Sequence, residues 1–117
     1  MNKKYYLGID IGTYETKGVL VNIKGKIIAQ SSKRHELIVP QKGWAEHRPL
    51  EDWWNDFVCI CKDLIKLSNC DPKNIKAVTA SAIGPCMLPV DKSGSPLMNA
   101  VLYGVDTRSF KEIEELN

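Results

Sequence analysis

Residues 5–21 read YYLGIDIGTYETKGVLV, two apolar runs of strand length, Tyr5-Tyr6-Leu7 and Val19-Leu20-Val21, with Asp10, Gly12 and Thr13 between them. Aromatic and β-branched side chains favour a pleated backbone, whereas Gly with Thr in the middle is the chemistry of a tight turn. The stretch predicts strand, turn, strand, over residues 4–11 and 17–23. An aspartate placed where the first strand runs out calls for a chemical reason, and the surrounding chain frames it.

Downstream, NIKGKII (22–28) places a tight turn at Lys24-Gly25 and leads into a third strand that continues to about Leu37, which completes an antiparallel meander. Lys33-Arg34 fits a solvated strand edge. The segment PQKGWAEHRP (40–49), broken by Pro40, Gly43 and Pro49 and without a period, predicts an ordered loop rather than an element. From Pro49 the period becomes helical. Leu50, Trp53, Trp54, Phe57, Val58, Cys61, Leu64 and Ile65 fall on one face of a helix over 49–68, with the tryptophan pair in the core. Pro49 suits its first turn, Glu51 and Asp52 complement the positive end of its dipole, and Asn69 with Pro72 marks its stop.

NIKAVTASAIG (74–84) is too short for a helix and rich in Val, Ile and Thr, and it predicts a buried fourth strand parallel to the first, the long helix being the crossover such a pair requires. CMLPVDKSGSPLMNAVLYG (86–104) predicts a second hairpin turning at Asp91–Gly94. DTRSFKEIEELN then opens a helix with Asp106 or Thr107 as its cap. That helix carries only Phe110 and Ile113 as apolar anchors, so the end reads as cut.

With 117 residues, 44% hydrophobic and 26% charged, the chain has the composition of one globular domain. A net charge of +2, with both signs interspersed, argues against nucleic acid or an anionic membrane as partner. No apolar run approaches a bilayer span, and Asp10 interrupts what a signal peptide would keep apolar, so the expected location is cytoplasmic. Cys59, Cys61, Cys70 and Cys86 lack the paired spacings of a zinc site and are expected as buried free thiols.

A turn carrying Asp, Gly and Thr between two strands offers unobstructed backbone N–H groups and a hydroxyl, a cradle suited to phosphate oxygens. Asp10 beside phosphate needs a cation between them, and Mg2+ bound through water is the usual mediator. Lys17, four residues past Thr13, supplies a positive point charge to the same phosphates. Glu46, His35 and His47 have the chemistry of a general base, but a histidine in a loop or at a strand edge is expected at the surface.

At this point the sequence resembles a known family. YLGIDIGTYETKGVLVN, GWAEHRPLEDWW, IKAVTASAIG and AVLYGVDTR are similar, in order and separation, to the N-terminal part of the FGGY carbohydrate kinases, a group that includes xylulokinase, gluconate kinase and glycerol kinase. The resemblance implies an α/β, RNase H-like, actin-type ATPase fold. Residues 1–117 would be the incomplete N-terminal portion of its first domain. It further implies ATP and Mg2+ as cofactors and a small carbohydrate as substrate, and it leaves room for a homodimer. Asp10, Gly12, Thr13 and Lys17 match the phosphate-and-magnesium turn. Gly84, Pro85, Cys86 and Tyr103 match positions that face the sugar. No residue matches the catalytic aspartate, the general base, which is expected beyond Asn117 together with the adenine-binding segments.

Gly84-Pro85 departs from the Met-His pair of xylulokinases and the Arg-Glu pair of glycerol kinases, which points to another sugar or sugar acid, with Tyr103 as a wall for its carbon chain. Two readings compete with the kinase. One is a non-catalytic module of the same fold that binds a partner or nucleotide, and a reading frame that stops at Asn117 would favour it. The other is an actin-type ATPase that drives a conformational change, against which GWAEHRPLEDWW counts.

Overall fold

The computed structural model describes residues 3–117. Strands β1 (Tyr5–Ile11), β2 (Glu15–Asn22) and β3 (Ile27–Arg34) are followed by a two-residue strand β4 (Glu46–His47). A continuous helical segment comes next. Its first seven residues, Pro49–Asn55, take the wide i→i+5 winding, and the rest is the α-helix α1 (Asp56–Ser68). A 3₁₀ turn over Pro72–Asn74 leads into β5 (Ile75–Ala82), and β6 (Ala100–Val101) and α2 (Phe110–Leu116) complete the order.

The main sheet runs β3-β2-β1-β5, antiparallel throughout the meander and parallel where β5 joins β1. This is the expected mixed sheet with its crossover helix. The β2–β3 turn is held by Asn22, whose Oδ1 accepts from the Lys24 and Lys26 N–H groups, and Gly25 supplies the positive φ of 75°. Tyr5, Leu7 and Ile9 of β1 alternate inward and meet Leu20, Ala29, Ile60 and Leu64 in one core. Gly18 allows the helix to approach this closely. A Cβ there would lie 2.3 Å from Ile60 Cγ2 and 3.0 Å from Ile9 Cδ1. The helix ends on Asn69 at φ 51°, a left-handed cap that Asn tolerates.

Several expectations are corrected. β3 stops at Arg34 rather than near Leu37. The loop 40–49 contains β4, which pairs with the distant β6 and with Ile38, a partnership that local composition does not encode. The buried stripe of the helical segment is Asp52, Asp56, Ile60 and Leu64, with Trp54 exposed and stacked on Phe57 at 5.7 Å. β5 is exposed along nearly its whole length, because α1 covers β2 and β3 and leaves this edge strand open on both faces. The last helix begins at Phe110 after Ser109, and Asp106 is engaged elsewhere. The four cysteines are free, as expected, but partly rather than fully buried. Among the described residues no helix is long and apolar enough to cross a membrane.

Candidate active site at the ends of β1 and β5

Parallel pairing brings the C-terminal ends of β1 and β5 to the same edge of the sheet, with Asp10 opposite Ser81 and Ile11 opposite Ala82. The Ile83 N–H then donates to the Ile11 carbonyl at 2.8 Å, so that the Gly12–Tyr14 turn and the Gly84–Cys86 segment leave the sheet side by side. Crevices at strand C-termini are where open α/β sheets bind ligands. Strand alternation sends Ile9 into the core and Asp10 to the opposite, solvent-facing side. There it lies cross-strand from Lys17, in an open depression of about 250 Å³ that is also lined by Gly8, Thr79 and Ser81. Lys17 makes one loose ion pair, 3.6 Å to Glu15, and is otherwise available to an anion.

The turn is closed by the Gly12 N–H donating to the Glu15 carbonyl at 2.9 Å, and a Cβ on Gly12 would press on that same oxygen at 3.0 Å. Beneath it the structure reveals a layer of polar side chains. His35 Nε2 lies 2.9 Å from the Gly12 carbonyl and Nδ1 lies 3.0 Å from Asp56 Oδ2. His47 Nε2 lies 2.8 Å from the Thr13 carbonyl, and its Nδ1 accepts from Trp53 Nε1–H at 3.1 Å. The main-chain N–H of His35 donates to the Tyr14 carbonyl at 3.0 Å. The two imidazoles meet edge to face, 4.8 Å apart. Burial pushes the His47 pKa below the usual histidine value, more than its bond to the Thr13 carbonyl raises it. Asp52 stands next to this layer. Its burial acts to raise its pKa, but the Arg48 guanidinium and N–H outweigh that and hold it below the usual carboxylate range.

His35 and His47 are therefore interior groups, against the expectation of surface residues, and Glu46 is buried as well. Pairing of β4 with β6 buries His47 and Glu46, and the Asp56 carboxylate with the turn carbonyls draws His35 inward. Glu46 belongs to a second cluster. Its carboxylate accepts from Arg108 Nη2 at 2.9 Å and from Asn99 Nδ2 at 3.0 Å. Arg108 also pairs with Asp106 at 2.7 Å and lies over the Trp44 ring at 3.9 Å. The Arg108 side-chain bonds, set against burial, hold the Asp106 carboxyl at about 2. The Asp106 Oδ2 also accepts from the Ala45 N–H at 2.7 Å, which fastens the segment after β6 to the β4 loop. The Met87–Val101 bridge completes the frame and sets Gly84–Cys86 and Tyr103 on neighbouring runs. Tyr103 is 64% exposed, a Cβ on Gly84 would meet open space, and Cys86 Sγ faces the Ile83 carbonyl at 3.5 Å.

The sequence profile of the FGGY family of carbohydrate kinases, N-terminal domain, matches residues 5–117. The chain belongs to the FGGY family. It is 37% identical over 106 residues to the xylulose kinase of Bacillus subtilis (strain 168), covering 91% of this chain and 21% of that protein. With the glycerol kinase of Clavibacter michiganensis subsp. michiganensis it shares 32% over 117 residues, 99% of this chain and 23% of the relative. The crystal structure of gluconate kinase from Lactobacillus acidophilus superposes with a TM-score of 0.86 at 30% identity, covering 97% of this chain and 22% of that one. This FGGY chain thus spans about a fifth of the length of these relatives. The actin-like ATPase fold that the resemblance implies is the fold of these kinases, and the meander, crossover helix and parallel strand agree with it.

Proposed function

We propose that this chain is the N-terminal, phosphate-holding part of an ATP-dependent kinase acting on a sugar, polyol or sugar acid. The observation that carries the reading is the Asp10–Thr13 turn at the joined C-terminal ends of β1 and β5. Its carbonyls are tied inward, and the Thr13 and Tyr14 N–H groups meet no acceptor among the described residues. Transfer of a phosphoryl group calls for fixed donors and positive charge at the phosphate, and a separate carboxylate for the attacking hydroxyl. Gly12 leaves the Glu15 carbonyl room to close the turn, the Thr13 hydroxyl and the outward amides donate to phosphate oxygens, and Lys17 brings a cation.

No group of three metal-ligating side chains occurs among the described residues, so a cage for a dehydrated ion is not what the site offers. One exposed carboxylate, Asp10, with the Ser81 position opposite, suits a hydrated magnesium ion shared with phosphate oxygens. Bound there, Mg2+ would neutralise phosphate charge. Asp10 would hold it through water and set its position relative to the turn.

The base that accepts the sugar proton lies, in this reading, outside residues 1–117. His35, His47 and Glu46 each have their polar atoms engaged within the fold. Gly84, Pro85, Cys86 and Tyr103 would line the sugar, the first two offering neither a charge nor a side-chain donor. That argues for a substrate other than xylulose or glycerol, with Tyr103 as an apolar wall. A cytoplasmic location fits the four free thiols. The test is a panel of ketoses, polyols and aldonates offered with ATP to the full-length protein that carries this chain. Sugar-dependent ADP release is expected, highest on a member other than xylulose or glycerol. The absence of phosphorylation with every member would overturn the assignment, and a top kcat/KM for xylulose or glycerol would overturn the substrate reading.

A further inference from the structure

We propose that His35 and His47 are positioning residues for phosphoryl transfer, their Nε2–H groups tying back the Gly12 and Thr13 carbonyls so that the following amides are fixed toward the phosphate. The inference rests on the reading of this turn as the phosphate site. In a planar trans peptide the carbonyl of one residue and the N–H of the next point in opposite directions. Three consecutive carbonyls, Gly12, Thr13 and Tyr14, accept from His35 Nε2, His47 Nε2 and the His35 N–H at 2.9, 2.8 and 3.0 Å. The amides of Thr13 and Tyr14 are thereby directed away from the histidine layer, and neither meets an acceptor among the described residues. The carbonyls are satisfied on one side and the donors presented on the other, which is how an anion cradle is held without reorganisation.

The two rings are themselves locked. His47 accepts the Trp53 indole hydrogen at Nδ1, which leaves Nε2 as the protonated nitrogen and makes the ring a neutral donor of fixed tautomer. His35 is held at both nitrogens, by Asp56 Oδ2 on one side and the Gly12 carbonyl on the other. Lys33 Nζ, 3.7 Å from Asp56 Oδ1, the second histidine and the Asp52 carboxylate are further titratable neighbours of that pair. His47 is fully buried and His35 nearly so. Burying two imidazoles costs desolvation that an apolar pair of similar size would avoid, so a packing role alone does not account for them. Four ring nitrogens with four partners, two of them successive carbonyls of one turn, define an orienting device.

The experiment compares His47→Phe, which keeps a ring but removes the donor, with His47→Gln, whose amide nitrogen reaches the ε position. Both are made in the full-length protein. Calorimetry with a non-hydrolysable ATP analogue reads the turn without turnover, and steady-state kinetics and thermal melting accompany it. In His47→Phe the Kd for the analogue should rise about tenfold and kcat should fall, with KM for the sugar nearly unchanged, whereas His47→Gln should return the Kd to within about threefold of the parent. If His47→Phe does not fold, His47→Gln against His47→Asn makes the same comparison, Asn being too short to reach the Thr13 carbonyl. Wild-type affinity in the donor-less variant, an equal loss in Phe and Gln (or in Gln and Asn), or a parallel loss of nucleotide and sugar binding with lowered melting would overturn the proposal. A parent protein that binds the analogue but phosphorylates no sugar would remove the functional reading, and the analogue comparison would still decide the histidines.

Discussion

Asp106 and His47 are side chains whose titration reports how the loops around the site are held. The Asp106 carboxyl sits at about 2, below the unfolded value of 3.8, chiefly through the Arg108 guanidinium. A depressed carboxylate contributes stability that is present above the unfolded pKa and lost as pH falls toward the folded one. Asp106→Asn should therefore lower the unfolding free energy at neutral pH by about 2–3 kcal/mol, with a lower melting temperature, and the gap to the parent should close as pH falls from about 4 toward 2. A gap of constant size in melting curves across that range contradicts this. His47 is displaced the other way, its burial favouring the neutral ring. The unfolded chain takes up a proton at His47 below about 6.5 that the folded chain resists, so this residue makes stability fall as pH drops through 6.5. An NMR titration should place the His47 midpoint below 6.5, and a midpoint above it would contradict the assigned environment.

The elements were legible where one rule acted alone. The aromatic and β-branched runs flanking a Gly-Thr turn in 5–21 point to the meander, and the 3.6-residue period from Pro49 to the crossover helix that a parallel β1–β5 pair requires. Where two rules competed, the reading missed. The helical period puts Trp53 and Trp54 on the core face, but Trp54 is exposed and Trp53 half-buried against His47, the face that packs on β2 carries Ile60 and Leu64, and at its N-terminal end two carboxylates, Asp52 and Asp56, lie buried against Arg48 and His35. The Asp10–Thr13 turn was visible in four residues. The histidine layer under it was not, because its members come from residues 12–14, 35, 47, 53 and 56 and only tertiary pairing joins them. A clue lay in the i, i+4 run Asp52, Asp56, Ile60, Leu64, which puts carboxylates on an otherwise apolar stripe. The contact that seats this helix is Gly18, and Gly18→Ala should destabilise by about 1–3 kcal/mol, because the added Cβ would clash with Ile60 Cγ2. A denaturation midpoint equal to that of the parent would show that α1 sits further from β2.

As a whole the chain is elongated, 62 × 29 × 24 Å with a radius of gyration of 17.5 Å, where a compact domain of this length would have roughly 13 Å. β5 and the side chains of Tyr103, Phe110 and Ile113 face solvent, and the chain spans about a fifth of the length of its relatives. The 117-residue chain alone should release no ADP in the presence of a sugar, and sugar-dependent turnover by it would contradict the placement of the base elsewhere. The central claim is that the Asp10 turn handles phosphate in a sugar kinase. It is tested most directly by kcat of the full-length protein and its Asp10→Asn variant on the best substrate of the panel, with melting curves alongside. Asp10 is solvent-facing and outside the core, so the account predicts an unchanged melting temperature and a kcat lower by about 10²-fold or more. A folded Asp10→Asn enzyme with kcat close to that of the parent would contradict it.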